Sequence, residues 1–192
     1  MNSVLSIGEC MLQLREERKG KFAQGFGGDS LNTAIYLSRL GIKSSYLTAL
    51  GDDEWSNDML AMWQKEGIDT SLVRQVPGRM PGLYIIQNST GGERRFSYWR
   101  DRSPAREIFD EDNQSLAQSF MQHEWIYFTG ITLSLYSEEG RALLFDYLQR
   151  ANDAGAWIVF DTNFRAAGWP DMREADAAFR QAIEIADILF AS

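Results

Sequence analysis

The sequence predicts an α/β fold, a β-α-β sheet with helices packed on it. Two observations carry that expectation. Short segments rich in β-branched and large apolar residues alternate along the chain with stretches of helical period. The composition, 44% hydrophobic and 24% charged over 192 residues with only 4 Pro, is that of an ordinary globular domain, and it excludes a disordered, collagenous or disulfide-built chain. A chain of this length buries roughly 70% of the surface its unfolded form exposes, enough for a core without metal or disulfide support.

In chain order, the strands of the main sheet are expected at 4–8, 45–50, 125–129, 157–161 and 188–191. The intervening segments 30–40, 54–66, 114–121, 137–152 and 171–186 place Leu, Ile, Phe, Met or Ala at three- and four-residue spacings, so each helix buries one stripe. Two segments break this rhythm. The stretch 11–26 alternates Leu12 and Leu14 and then runs into a charged turn at 15–21, read as solvated. The stretch 81–100 reads as a β-hairpin, because Leu83 to Ile86 and the alternating Phe96, Tyr98 and Arg100 flank the turn chemistry Ser89-Thr90-Gly91-Gly92. Both segments are expected to be strands outside the main sheet.

Charge and rare residues narrow the function classes. A net charge of -8 argues against a broad nucleic-acid or anionic-membrane surface. Cys10 is the only cysteine and His123 the only histidine, so an intrachain disulfide, a Cys/His zinc site, and Ser-His or Cys-His catalytic pairs are excluded. Phosphoryl transfer, which needs no histidine, survives. No basic n-region opens the chain and no apolar run approaches the ~18 residues of a membrane span, which points to the cytoplasm.

Three polar constellations then stand out. Gly25-Phe26-Gly27-Gly28-Asp29 follows a predicted strand and enters a helix, but it lacks the Walker lysine, and Ser30 occupies the third position of a GxGxxG pattern. Glycines here let a ligand approach the backbone at a helix N-terminus, with Asp29 expected as its cap and Asn32 adding an amide; a plain Gly-rich turn is the alternative. In the hairpin, a five-residue loop at 89–93 sets Asn88 opposite Arg94, Tyr84 opposite Tyr98 and Gly82 opposite Arg100. Tyr84, Phe96, Tyr98 and Arg100 then share a face. Such a face suits a polyol bearing a carboxylate, while cross-strand aromatic packing with a solvated Arg is the structural alternative. Asp161-Thr162-Asn163-Phe164-Arg165 lies at the carboxyl end of its strand, where open α/β sheets place ligands. The acids Asp52, Asp53, Glu54 and Asp58 read as helix-start residues rather than a metal cluster. Cys10 is expected to be an inert strand residue and His123 a surface residue.

Taken together, Ile7-Gly8-Glu9, Gly27-Gly28-Asp29-Ser30-Leu31-Asn32-Thr33-Ala34, Thr48-Ala49-Leu50-Gly51-Asp52-Asp53, Pro81-Gly82-Leu83-Tyr84, Tyr98-Trp99-Arg100, Thr129-Gly130-Ile131 and Asp161-Thr162-Asn163-Phe164-Arg165 make the chain resemble the ribokinase-like (PfkB) carbohydrate kinases. Gly8-Glu9-Cys10-Met11, the Gly-Leu-Tyr strand, Tyr-Trp-Arg and Asn-Phe-Arg are most similar to the branch acting on 2-keto-3-deoxygluconate. The resemblance implies a three-layer α-β-α core with a small β-sheet lid, the lid strands within 11–26 and 81–100 and the core at 1–10, 27–80 and 101–192. It implies that Gly27, Gly28 and Asn32 hold sugar hydroxyls, Tyr84 and Tyr98 close the lid side, Ile131 lines the pocket, and Arg100 and Arg165 address an acidic acceptor. The implied reaction moves the γ-phosphoryl group of ATP, with Mg²⁺, to the terminal hydroxyl of the sugar acid.

Two departures accompany the resemblance. The family's Gly-Ala-Gly-Asp motif with its general base, its nucleotide site and its Asn-x-x-Glu segment are expected after residue 192, so these residues are expected to form the N-terminal, acceptor-binding part of a truncated domain, inactive as a kinase alone. Gln13 stands where ribokinase-type relatives place a sugar-binding Asp. A fructokinase or other ribokinase-like sugar kinase is the same-class alternative, and a non-catalytic fragment that binds a sugar or dimerises is the alternative of another class. The expected partners are a small sugar acid and a second copy joined through the lid strands.

Overall fold

The computed structural model describes residues 3–88 and 94–192. Its larger sheet holds six strands, all parallel where paired, in the order β10-β9-β8-β1-β4-β5: β1 (Ser3–Ile7), β4 (Lys43–Gly51), β5 (Val73–Val76), β8 (Trp125–Thr129), β9 (Trp157–Asp161) and β10 (Ile188–Phe190). Parallel neighbours need crossover connections, and helices supply most of them. They are α1 (Asp29–Arg39), α2 (Glu54–Lys65), α3 (Gln114–Phe120), the single turn α4 (Gly130–Leu133), α5 (Glu138–Asp153) and α6 (Met172–Ile185). The expected five-strand sheet gains β5, whose four residues set half-buried Val73 and Val76 on either side of exposed Arg74 and Gln75, a run too short and without alternation to stand out by periodicity.

Alternation along the strands sorts the core onto two faces. Leu5, Ile7, Ile126, Phe128, Ile158 and Phe160 pack against Leu144, Tyr147 and Leu148 of α5 and Ala175, Ala178 and Ala182 of α6. On the opposite face Tyr46 and Leu50 of β4 meet Leu31 and Ala34 of α1 and Met59 and Trp63 of α2. A sheet covered on both sides makes the three-layer architecture the sequence implied. No helix among the described residues is long and apolar enough to cross a membrane.

A second, four-stranded sheet in the order β3-β2-β6-β7 comprises β2 (Met11–Arg18), β3 (Lys21–Gly27), β6 (Leu83–Asn88) and β7 (Arg94–Trp99). Strands β2 and β3 form an antiparallel hairpin, β6 and β7 form another, and β2 joins them by pairing parallel to β6. The β6/β7 ladder runs without interruption from Leu83 opposite Trp99 to Asn88 opposite Arg94, with Tyr84 opposite Tyr98, the register counted from the sequence. The predicted loop at 89–93 lies outside the described residues.

Candidate functional site

The strand order reverses at β1: the chain builds outward through β4 and β5, then returns to the other side of β1 for β8, β9 and β10. Carboxyl ends at such a switch point diverge and leave a crevice. Polar groups crowd its rim. Thr129, ending β8, caps α4 by accepting from Thr132 N, while Thr132 Oγ1 donates to the Ile7 carbonyl at 2.8 Å, tying β8 to β1. Asp29 Oδ2 accepts from Thr129 Oγ1 at 2.7 Å and from Asn163 Nδ2 at 2.8 Å. Asn163 has a positive φ of 27°, a backbone state that Asn tolerates better than most residues, and its own N–H donates to Asp161 Oδ1.

That arrangement corrects the expectation that Asp29 caps α1. Gly28 occupies the cap position and makes no side-chain cap bond; Asp29 is already inside the helix, so its carboxylate turns outward and joins the Gly-rich turn to β8 and to the loop after β9.

The second sheet faces this rim with aromatic rings. Tyr84, Phe96 and Tyr98 stack on one face with centroids 5.9 to 6.5 Å apart. Tyr98 and Phe96 remain about half exposed. Tyr84 is anchored: its hydroxyl donates to Gln13 Oε1 at 2.5 Å, because β2 and β6 pair with Gln13 beside Tyr84. Gly27 makes this possible, since a Cβ there would lie 2.2 Å from the Tyr84 hydroxyl oxygen. Burial pushes the Tyr84 phenol up to about 12, so it remains a donor at neutral pH.

Arg100, directly after β7, forms an ion pair with Glu9, whose side chain is 1% exposed against 18% for Arg100. Burial pushes the Glu9 carboxyl above its ordinary range, while the Arg100 charge and the Ser103 hydroxyl pull it back down. Asn32 is exposed in the first turn of α1, Ile131 is half-buried on α4, and Arg165 is exposed with Nη1 donating to the Phe164 carbonyl. Glycine turn, α1, α4 and the loop of Asn163 and Arg165 are thus joined through Asp29. Arg100 meets Glu9 instead of sharing a contact with Arg165.

Sequence reasoning gives no individual role to Glu9 or Thr129, and it places Asn163 in a ligand-facing loop without its bond to Asp29. Glu9 carried a readable signal, a carboxylate wedged between apolar Val4 to Ile7 and Met11 to Leu14, which a strand junction must bury against a cation. Two bland expectations also change. His123 is a half-buried link rather than a surface residue, its Nε2 2.9 Å from Ser45 Oγ and its Nδ1 2.8 Å from the Ser119 carbonyl, which fastens the end of α3 to β4. Cys10 is buried, its thiol pushed up by burial. Asp53 caps α2 by accepting from Trp55 N and Ser56 N, as its position at the helix start suggested.

A parallel sheet covered on both faces, with polar groups crowding its switch point, and a small second sheet carrying phenols define a protein of the α/β class. The chain belongs to the pfkB family of carbohydrate kinases, matched over residues 1–192. It is 37% identical over 193 residues to a 2-dehydro-3-deoxygluconokinase of Dickeya dadantii, covering 98% of this chain and 62% of that protein. It is 35% identical to the enzyme of that name from Escherichia coli K12, covering 96% of this chain and 61% of the relative. Among solved structures, 2-dehydro-3-deoxygluconokinase of Thermotoga maritima superposes with a TM-score of 0.84 at 25% identity, covering 98% of this chain and 59% of that one. A PfkB carbohydrate kinase of Listeria grayi reaches 0.89 at 22% identity, covering all of this chain and 61% of its own, and supports the fold alone. The chain therefore spans about three fifths of the curated relatives it matches.

Proposed function

We propose that these residues form the acceptor-binding part of a kinase that phosphorylates the terminal hydroxyl of 2-keto-3-deoxygluconate (2-dehydro-3-deoxygluconate) from ATP. The observation that carries this reading is the face of the second sheet, where Tyr84 and Tyr98 stack opposite one another beside Gly27 and Arg100 follows directly after β7. Gly27 and Gly28 let the sugar approach the backbone and Asn32 contributes an amide; Tyr84 and Tyr98 cover its hydroxyls, Ile131 packs against its carbon chain, and Arg100 and Arg165 take its carboxylate. The identity to relatives named for this substrate supports the acid over a neutral sugar.

The residues present do not gather around a metal: among those described, no group of three or more His, Cys, Asp or Glu side chains is placed to hold one. No step of the reaction is therefore assigned here to Mg²⁺, and the transfer of the phosphoryl group from ATP belongs to the whole protein. The share of the chain described here is positioning, which holds the acceptor hydroxyl still and strips its surroundings of water.

Titration of the chain with 2-keto-3-deoxygluconate and with fructose tests the reading. Arg100→Ala is expected to weaken the sugar acid by about 1.5–3 kcal/mol, roughly 10- to 150-fold, and the ketose far less. Equal losses for the two ligands would sink it. The open edges β3 and β7, with Phe22, Phe96, Tyr98 and Trp99 exposed, also support a second copy pairing against the lid. Sedimentation that finds only monomer at micromolar concentration would refute that pairing.

A further inference from the structure

The chain passes between the two sheets four times, at 8–10, 27–28, 77–82 and 100–103. All four passages meet at Glu9. It lies within the first. A Cβ on Gly28 would lie 2.2 Å from the Glu9 backbone oxygen, and a Cβ on Gly82 would lie 2.8 Å from Glu9 Oε1 and 3.1 Å from Arg100 Cβ. In the fourth passage Arg100 pairs with the carboxylate and Ser103 stands beside it. Glu9 is thus enclosed by all four passages, and its side chain is 1% exposed.

We propose that Glu9 determines the specificity of the acceptor site as its built-in counter-charge. Resting on the reading of Arg100 as the group that meets the sugar's carboxylate, it cancels the guanidinium's net charge; Nε and Nη2 are buried, so Nη1 is the nitrogen left to donate outward. A guanidinium does not deprotonate, and its charge favours the carboxylate of Glu9 against the burial that raises that group. A fork that is neutral overall attracts no anion from a distance. An acid is retained only when one of its oxygens reaches Nη1 and its hydroxyls match the phenols and glycines nearby, so short acids lacking those hydroxyls are rejected. Without Glu9, Arg100 becomes an unopposed buried cation, and Coulomb attraction at this distance outweighs the loss of its orientation.

Glu9→Gln, of the same shape but uncharged, tests this in the chain as it stands. Pyruvate, a 2-keto acid without the hydroxyl chain, is expected to bind at least ten-fold tighter to the variant, with fructose changed less than two-fold and the gain abolished in Glu9→Gln/Arg100→Ala. Pyruvate affinity that is unchanged, weakened or undetectable in Glu9→Gln overturns the proposal. A merely structural Glu9 would weaken all ligands together. Should the variant fail to fold, the salt dependence of sugar-acid binding by Arg165→Ala, which leaves the paired Arg100 as the carboxylate's guanidinium, decides. A neutral fork predicts less than a three-fold loss between 20 and 300 mM NaCl, and a ten-fold loss refutes it. If the unaltered chain binds fructose as well as the sugar acid, the reading of the acceptor fails, while the pyruvate gain still decides the counter-charge.

Discussion

The two sheets use aromatic residues in opposite ways. In the parallel sheet Phe128 and Phe160 stack on adjacent strands with centroids 5.0 Å apart, and helices cover them completely. In the small second sheet Tyr84, Phe96 and Tyr98 stack at 5.9 to 6.5 Å, and among the described residues the outer two are left about half exposed. Cross-strand stacking is common to both. What differs is the layer above, because a crossover helix accompanies each parallel strand whereas a hairpin returns with no helix at all. An aromatic ladder that is covered is core, and one left open is a surface for a ligand or a second copy.

The largest effect expected is on the covered ladder. Phe128→Ala should cost about 3–5 kcal/mol in urea denaturation, since it empties a fully enclosed site. A loss below about 1 kcal/mol would erase the distinction between the sheets. Next comes the rim that both sheets face. Asp29→Ala should cost about 1.5–3 kcal/mol by removing the acceptor of the Thr129 and Asn163 hydrogen bonds, and proteolysis at 162–168 should quicken as that loop loses its tether. Unaltered stability and cleavage would show that Asp29 ties nothing together.

Alkaline titration compares one phenol from each region. Burial raises both Tyr127 in the core and Tyr84 in the lid to about 12, above the ordinary phenol value of 10. The neutral form is the one the fold favours, so the stabilisation is complete below pH 10 and is lost as pH rises through 12. Urea midpoints should therefore fall between about pH 10 and 12, and Tyr127→Phe should flatten the fall more than Tyr84→Phe does. The reverse order would place the more stabilising phenol in the lid. The smallest stability change is expected for Phe96→Ala, within about 0.5 kcal/mol because the ring is already 45% exposed, with a measurable loss of sugar affinity. A stability loss like that of Phe128→Ala would mean the open ladder is core after all.

Much of this was legible before any coordinates. Wherever one face of an element is buried, periodicity is dictated by that burial. The helices at 54–65 and 114–120 and the strands at 125–129 and 157–161 accordingly fall within a residue of their expected bounds. The lid register was countable for the same reason: the two sides of a hairpin alternate in step once its loop length is known. Short elements were missed, because four residues of β5 or α4 carry barely one period. The Asp29 bonds were also out of reach, since they join residues 100 and 134 positions apart.

The sequence by itself determined the fold class, the order of elements, the family and the row of side chains on the lid, because each depends on spacings within a few residues. Only the tertiary structure decided that Asp29 ties together three loops rather than capping its helix, and that Glu9 answers Arg100. The physical reason is that a charge's partner is chosen by distance through space. Four passages of chain converge on Glu9, and no local pattern records where separate passages will meet.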